Sequence, residues 1–266
     1  MKEYVFIIAD AELEIIPERI ALERCVLNSA RARQKNPDRM LLDASHHHPA
    51  FGKLPDGDRR GRPDIVHLSL LLALDSDINA QGRMKLFVHT RNDDVIAINN
   101  ETRLPPNYIR FVGLIEQLFE QKVVPSRENA LLELRHKVPL ELLVNALKPD
   151  EIIVLDPEGV EASLEDEISS SEAKRTVIIM GGFSKGTFTS DLRKLKPKRV
   201  SLGTRMMKVW TVMSKTLRAI EAADALGEAA PVAEKKSPAK KKPAKKTAKK
   251  VTAASGARPA RKKKGE

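Results

Sequence analysis

The sequence predicts an α/β protein with a largely parallel sheet flanked by helices. Short strand-like runs recur at residues 4–9, 39–43, 85–89, 95–98, 151–155, 176–180 and 199–202. Several are continuously apolar rather than alternating, as strands covered on both faces are. Between them lie stretches with helical apolar spacing at 17–33, 63–74, 108–121, 140–146 and 206–226. Strand and helix taken in turn are the mark of βα units.

Taken in order, residues 4–8 read as a buried first strand. The run is too short for a signal peptide and lacks a small-residue cleavage site. Helix 17–33 opens on Pro17 and carries Cys25, the single cysteine. A thiol on an amphipathic helix is expected to pack as a small apolar group. One cysteine permits no intrachain disulfide, which fits a reducing, intracellular setting. Residues 44–61 form a long polar stretch, of the kind that is functional or disordered. Its consecutive His46, His47 and His48 point in different directions and make a poor metal set. Pro63 and Pro139 are ordinary helix-start signals. No stretch has the ~20 apolar residues that cross a membrane.

Charge divides the chain. Residues 231–266 hold 14 of the 47 Lys and Arg but only 2 of the 36 Asp and Glu, so the remainder carries 33 basic against 34 acidic residues. The expected organisation is a folded domain over 1–227 and a disordered Lys/Ala/Pro-rich tail over 228–266. The tail suits salt-sensitive, non-specific phosphate binding. A nearly neutral domain must recognise nucleic acid through a local patch.

Three segments carry candidate chemistry. Arg62 and Asp64 bracket the helix-starting Pro63. A carboxylate in a first helical turn is favoured by the helix dipole, and from there Asp64 can fix the Arg62 guanidinium for bidentate contact with a phosphate or base edge; a plain helix N-terminal charge is the competing reading. Arg103 and Arg110 flank the turn at Pro105 and Pro106, with Tyr108 and Phe111 nearby. These could grip a strand and stack on a base, or be solvated arginines beside core aromatics. Gly181-Gly182-Phe183-Ser184-Lys185-Gly186 follows one strand, and Gly203-Thr204-Arg205 follows another and leads into Met206 and Met207. Two such loops at strand ends make a cofactor cleft; neither has the spacing of a phosphate loop or a dinucleotide fingerprint.

Together these segments resemble the ribosome-biogenesis methyltransferases that modify N1 of a pseudouridine in small-subunit ribosomal RNA. The resemblance spans about residues 1–225 and is carried by residues 42–47, Arg62 to His67, residues 74–76, His89-Thr90, residues 99–113 and the glycine loop. It implies a SPOUT-type fold with a C-terminal trefoil knot, a homodimer, and S-adenosyl-L-methionine as methyl donor. It implies cofactor contacts at Gly181, Gly186, Leu202, Gly203, Thr204, Arg205, Met206 and Met207. It implies small-subunit ribosomal RNA as partner, met by Arg62, Arg103, Arg110 and the Pro106 segment, with Asp64 steadying Arg62. The expected setting is cytoplasmic. Pro106 stands where the family often has an arginine, so one contact is lost or supplied elsewhere. The loop at 202–207 replaces the Asn-Tyr-Pro-Leu-Ser of eukaryotic relatives. Asp64 and Asp75 are the acidic candidates near the reacting base, with Asp64 acting through Arg62 or, alternatively, as a proton acceptor itself. A non-catalytic ribosome-assembly factor that binds the same RNA is the alternative function.

Overall fold

The N-terminal apolar run becomes the middle of the sheet. In the computed structural model, which describes residues 2–203 and 205–229, strand β1 (Glu3–Ala11) is buried along nearly its whole length. It pairs in parallel with β2 (Met84–Thr90) on one side and β7 (Arg175–Gly181) on the other. Next to β7 lies β6 (Glu151–Glu161), and next to that β8 (Lys198–Ser201), both parallel. The other wing is antiparallel: β3 (Val95–Ile98), β5 (Leu132–Arg135) and β4 (Val123–Val124). The order is β4-β5-β3-β2-β1-β7-β6-β8. The sheet is therefore mostly parallel, as the apolar runs require.

Helices close both faces. The helices α3 (Pro63–Leu74), α5 (Tyr108–Gln121), α7 (Leu164–Ser170) and α8 (Val209–Ala229) contribute to the larger apolar cluster. The smaller cluster is built from α6 (Leu140–Leu147) and the segment carrying Phe188, Leu192 and Leu195. A third cluster, outside the sheet, joins Ile16, Ile20, Val26, Met40 and Phe51. Cys25 packs beside it, as expected of a small apolar side chain. Two short helices, α2 (Ala44–His47) and α4 (Asp77–Ala80), complete the set with α1 (Arg24–Arg33). Among the described residues, no helix is long and apolar enough to cross a membrane.

Four expectations need correction. Residues 39–43 are not a strand: a 3-10 turn at Pro37–Arg39 takes the first of them, and Asp43 caps α2 by accepting from the Ser45 N–H. Met40, Leu41 and Leu42 are buried there as a core link with one bridge, Ile15 to Leu41. The helix over 17–33 is broken, with a 3-10 turn at Glu18–Ile20 and extended backbone at Glu23 before α1. The stretch at 44–61 is built, not loose: α2 is followed by 3-10 segments His48–Lys53 and Gly57–Arg59. Its Arg59 and Arg60 are buried against Glu12 and Glu14. Finally, α8 starts at Val209 rather than 206, because residues 205–208 line a pocket instead. The tail over 231–266 lies outside the described residues.

Candidate active site

Strand ends place the site. The carboxyl ends of β6, β7 and β8 meet at a pocket of about 300 Å³, at the low end of volumes typical of small-molecule sites. Leu155, Met180, Phe183, Phe188, Val200 and Leu202 supply apolar walls, and Asp156, Glu158, Ser184, Arg205 and Lys208 bring polar groups to it. Gly181, Gly186, Leu202, Gly203, Arg205, Met206 and Met207, the residues expected from the two strand-end loops, all line this one pocket. Thr204 lies outside the described residues.

The glycine loop is shaped by its own neighbours. A Cβ on Gly182 would stand 2.7 Å from Ala11 Cα, so this glycine permits close packing against β1 rather than approach to a ligand. Gly186 has φ +79°, a left-handed turn conformation that glycine adopts without a Cβ clash. The loop is tied back to β1 at both ends. The Gly182 N–H donates to the Ala9 carbonyl at 2.6 Å. Farther on, the Thr189 and Ser190 N–H groups (2.7 and 3.0 Å) and the Ser190 hydroxyl (2.6 Å) donate to the Asp10 carboxylate. Burial pushes the Asp10 carboxyl up, but the His89 ring and the bonds from Ser190 and Thr189 outweigh it and hold it at about 2.

Asp156, Pro157 and Glu158 are pocket residues that the sequence reading missed. The pairing of β6 with β8 shifts between Leu155 and Val160, and this bulge throws residues 156–158 out over the pocket. Bulges of this kind re-aim side chains beside active sites. Asp156 is buried and accepts from Arg199 Nη2 at 2.5 Å. An acid and a proline at the carboxyl end of a parallel strand were the available signal.

A second group stands beside the pocket at the start of α3. Arg62 donates from Nε and Nη2 to the two Asp64 carboxylate oxygens at 2.8 and 2.6 Å. That pairing is the chief reason the guanidinium holds its proton more tightly than usual. Ile65, the next residue along α3, lines the pocket wall, so the ion pair and the pocket share one helical turn. Tyr108 Oη donates to Asp43 at 2.6 Å. Burial first, then Asp43, then the nearby Asp64, push the Tyr108 hydroxyl far above its ordinary range, so it stays protonated.

Arg103 and Pro106 are exposed on the segment entering α5, and Arg110 is exposed in its first turn. That segment is fastened to α3 by His67, which donates from Nε2 to the Pro105 carbonyl at 2.8 Å and stacks on Phe111 at 4.2 Å. His67 is therefore a clasp rather than idle packing. Phe111 is fully buried, and Tyr108 is bound to Asp43; neither is an open platform for a base. Asp75 caps the far end of α3, roughly 16 Å from Asp64 at 1.5 Å per residue. It does not belong to this site.

The chain matches the family model described as EMG1/NEP1 methyltransferase over residues 6–221. It is 46% identical over 219 residues to the ribosomal RNA small subunit methyltransferase Nep1 of Thermococcus kodakarensis, covering 82% of this chain and 97% of that protein. The Pyrococcus furiosus protein of the same name is 42% identical over 222 residues, covering 83% and 97%. The crystal structure of Archaeoglobus fulgidus Nep1 bound to S-adenosylhomocysteine superposes with a TM-score of 0.74 at 35% identity, covering 84% of this chain and 99% of that one. With a strand-end pocket beside a fixed arginine, and with these likenesses along nearly the whole folded part, the chain belongs to the EMG1/NEP1 methyltransferase family.

Proposed function

We propose that this protein is an S-adenosyl-L-methionine-dependent methyltransferase that methylates N1 of a pseudouridine in small-subunit ribosomal RNA, in the cytoplasm, in support of ribosome biogenesis. The observation that carries this is the adjacency of pocket and ion pair: Ile65 lines the pocket one residue after Asp64. The residues present fit the cofactor. Apolar walls suit an adenine ring, and Arg205 and Lys208 supply cations for an amino-acid carboxylate. Leu202, Gly203, Met206 and Met207 would hold it with Gly181 and Gly186. When bound, S-adenosylmethionine supplies an electrophilic methyl group on a sulfonium.

The chain's own residues do the rest. Uridine carries its sugar on N1 and has no proton there; pseudouridine has a free N1–H, whose proton passes to solvent at the pocket mouth as that nitrogen takes the methyl group. Arg62 stabilises the negative charge that develops on the base, and Asp64 keeps its guanidinium in one orientation. Arg103 and Arg110 hold the RNA, and Pro106 leaves one family contact to be made elsewhere. A base turned out of its loop reaches the pocket mouth.

The same reading includes a trefoil knot in the chain around the pocket. The crowding of the loops leaving β6, β7 and β8 at one end of the sheet supports it. It also includes a homodimer, in which half-exposed Leu68 and Leu72 (42% and 40%), one helical turn apart on α3, gain a cover. The folded domain ends near 227 and the basic tail beyond it binds nucleic acid non-specifically. Calorimetry with S-adenosylhomocysteine tests the pocket: saturable binding to the purified protein is expected, and no binding contradicts the enzyme reading.

A further inference from the structure

Arg59 lies beneath the glycine loop and is almost fully buried at 8% exposure. Its Nε donates to Glu12 Oε1 at 2.5 Å, and its Nη1 donates to the Thr187 carbonyl at 3.1 Å. The guanidinium carbon sits 4.4 Å from the centre of the Phe183 ring, within range of a cation–π contact. Phe183 in turn meets Phe188 edge-on at 5.3 Å. The loop passes closely over this arginine: the Cβ direction of Gly186 ends 3.3 Å from Arg59 Nη1. The anchor is rigid. Glu12 is fully buried, and its second oxygen accepts from Arg91 Nη1 at 2.7 Å. The backbone of Glu12 serves both sites, its N–H donating to the Gly182 carbonyl (3.2 Å) and its carbonyl accepting from the Arg62 N–H (3.0 Å).

We propose that Arg59 is a positioning residue for the methyl-donor pocket. Seated on Glu12, it offers a flat cationic face to Phe183 and an N–H to Thr187, and so holds loop 181–188 in its binding shape before the cofactor arrives. The proposal rests on reading this pocket as the S-adenosylmethionine site. A loop ordered in advance loses less conformational freedom on binding, which appears as affinity. Arg59 makes no contact with the exposed Arg103 and Arg110, so its effect falls on the cofactor and not on the RNA.

The test uses the full chain, S-adenosylhomocysteine calorimetry, RNA binding by anisotropy and a thermal melt. Arg59→Met is expected to weaken S-adenosylhomocysteine binding roughly ten-fold, the size of the cost of ordering about one released loop side chain when the cofactor binds, with RNA affinity within about two-fold of wild type. Arg59→Lys keeps the charge on Glu12 but loses the flat face, and recovers part of the loss. Combining Arg59→Met with Phe183→Leu costs less than the product of the two single losses, because both remove one contact. Unchanged cofactor affinity in Arg59→Met, parallel loss of RNA and cofactor affinity, or fully multiplicative losses overturn the proposal. Should Arg59→Met fail to fold, Arg59→Lys decides alone: weaker cofactor binding at an unchanged melting temperature supports it, and wild-type binding refutes it. A wild-type chain that binds no S-adenosylhomocysteine overturns the pocket assignment itself, and this proposal with it.

Discussion

Replacing Asp64 by Asn removes the charge that holds Arg62 while keeping nearly the same shape. The ion pair is bidentate, but its side chains are 26% and 39% exposed, so solvent screening limits its worth to folding to ~0.5 kcal/mol. In a domain of this size that is a fall of about 1–2 °C in melting temperature. The effect on recognition is larger. A released arginine must be ordered again when RNA binds, at ~0.5–1.5 kcal/mol, or about 2- to 12-fold in affinity. Removing an acid next to Arg62 also raises the local positive potential, so binding to an unrelated RNA should hold or rise slightly. Anisotropy with a pseudouridine-containing hairpin and a scrambled control measures both. The cycle with Arg62→Ala decides how Asp64 acts. If it works only through Arg62, Asp64→Asn changes neither affinity nor turnover once Arg62 is gone. A further fall in turnover in the Arg62→Ala background refutes that reasoning and makes Asp64 a proton acceptor.

Two other outcomes follow. His47 accepts the Asp43 N–H on Nδ1 at 3.0 Å, and burial is the main cause that lowers its pKa from 6.5 to about 4. The unfolded chain therefore binds the proton first as pH falls, and stability present above pH ~6.5 is lost toward pH ~4, by about 3 kcal/mol. Urea unfolding at pH 7 and 4.5 should show this loss in wild type and a flatter dependence in His47→Gln; equal slopes contradict it. Deleting 231–266 should leave S-adenosylhomocysteine binding intact and flatten the salt dependence of RNA binding, by roughly 0.7 in log–log slope per lost phosphate contact. An unchanged slope would mean the tail makes no such contacts.

The strands most legible in the sequence are those buried on both faces. Tyr4 to Ile8 and Val177 to Met180 are buried throughout, and such runs have few alternatives. Residues 39–43 misled because the same apolar burial is available to a link between two turns. Helix 17–33 misled through Leu22, which fits the helical spacing yet is 84% exposed. Strand β4 is only two residues long, too short for a pattern to declare it, and β5 (Leu132–Arg135) interleaves Leu132 and Leu134 with charged Glu133 and Arg135, without the continuous apolar run that marked the equally short β3. Residues 44–61 looked loose because the partners that order Arg59 and Arg60, Glu12 and Glu14, lie 47 and 46 residues away. At the site, glycines after strands marked two walls of the pocket. The Asp156–Glu158 wall was hidden because a bulge depends on the register between β6 and β8, which local composition does not record. Arg62 with Asp64 was legible from spacing alone, since residues two apart around a helix start lie within reach of each other.

The most direct measurement compares two synthetic RNA hairpins, identical except that one carries pseudouridine where the other carries uridine. Each is incubated with the purified protein and S-adenosylmethionine labelled in its methyl group, then digested to nucleosides for mass spectrometry. Labelled 1-methylpseudouridine from the first hairpin, with no transfer to the second, is the expected result. Equal transfer to the uridine hairpin, or none to either while S-adenosylhomocysteine binds normally, contradicts N1 methylation of pseudouridine as the reaction of this site.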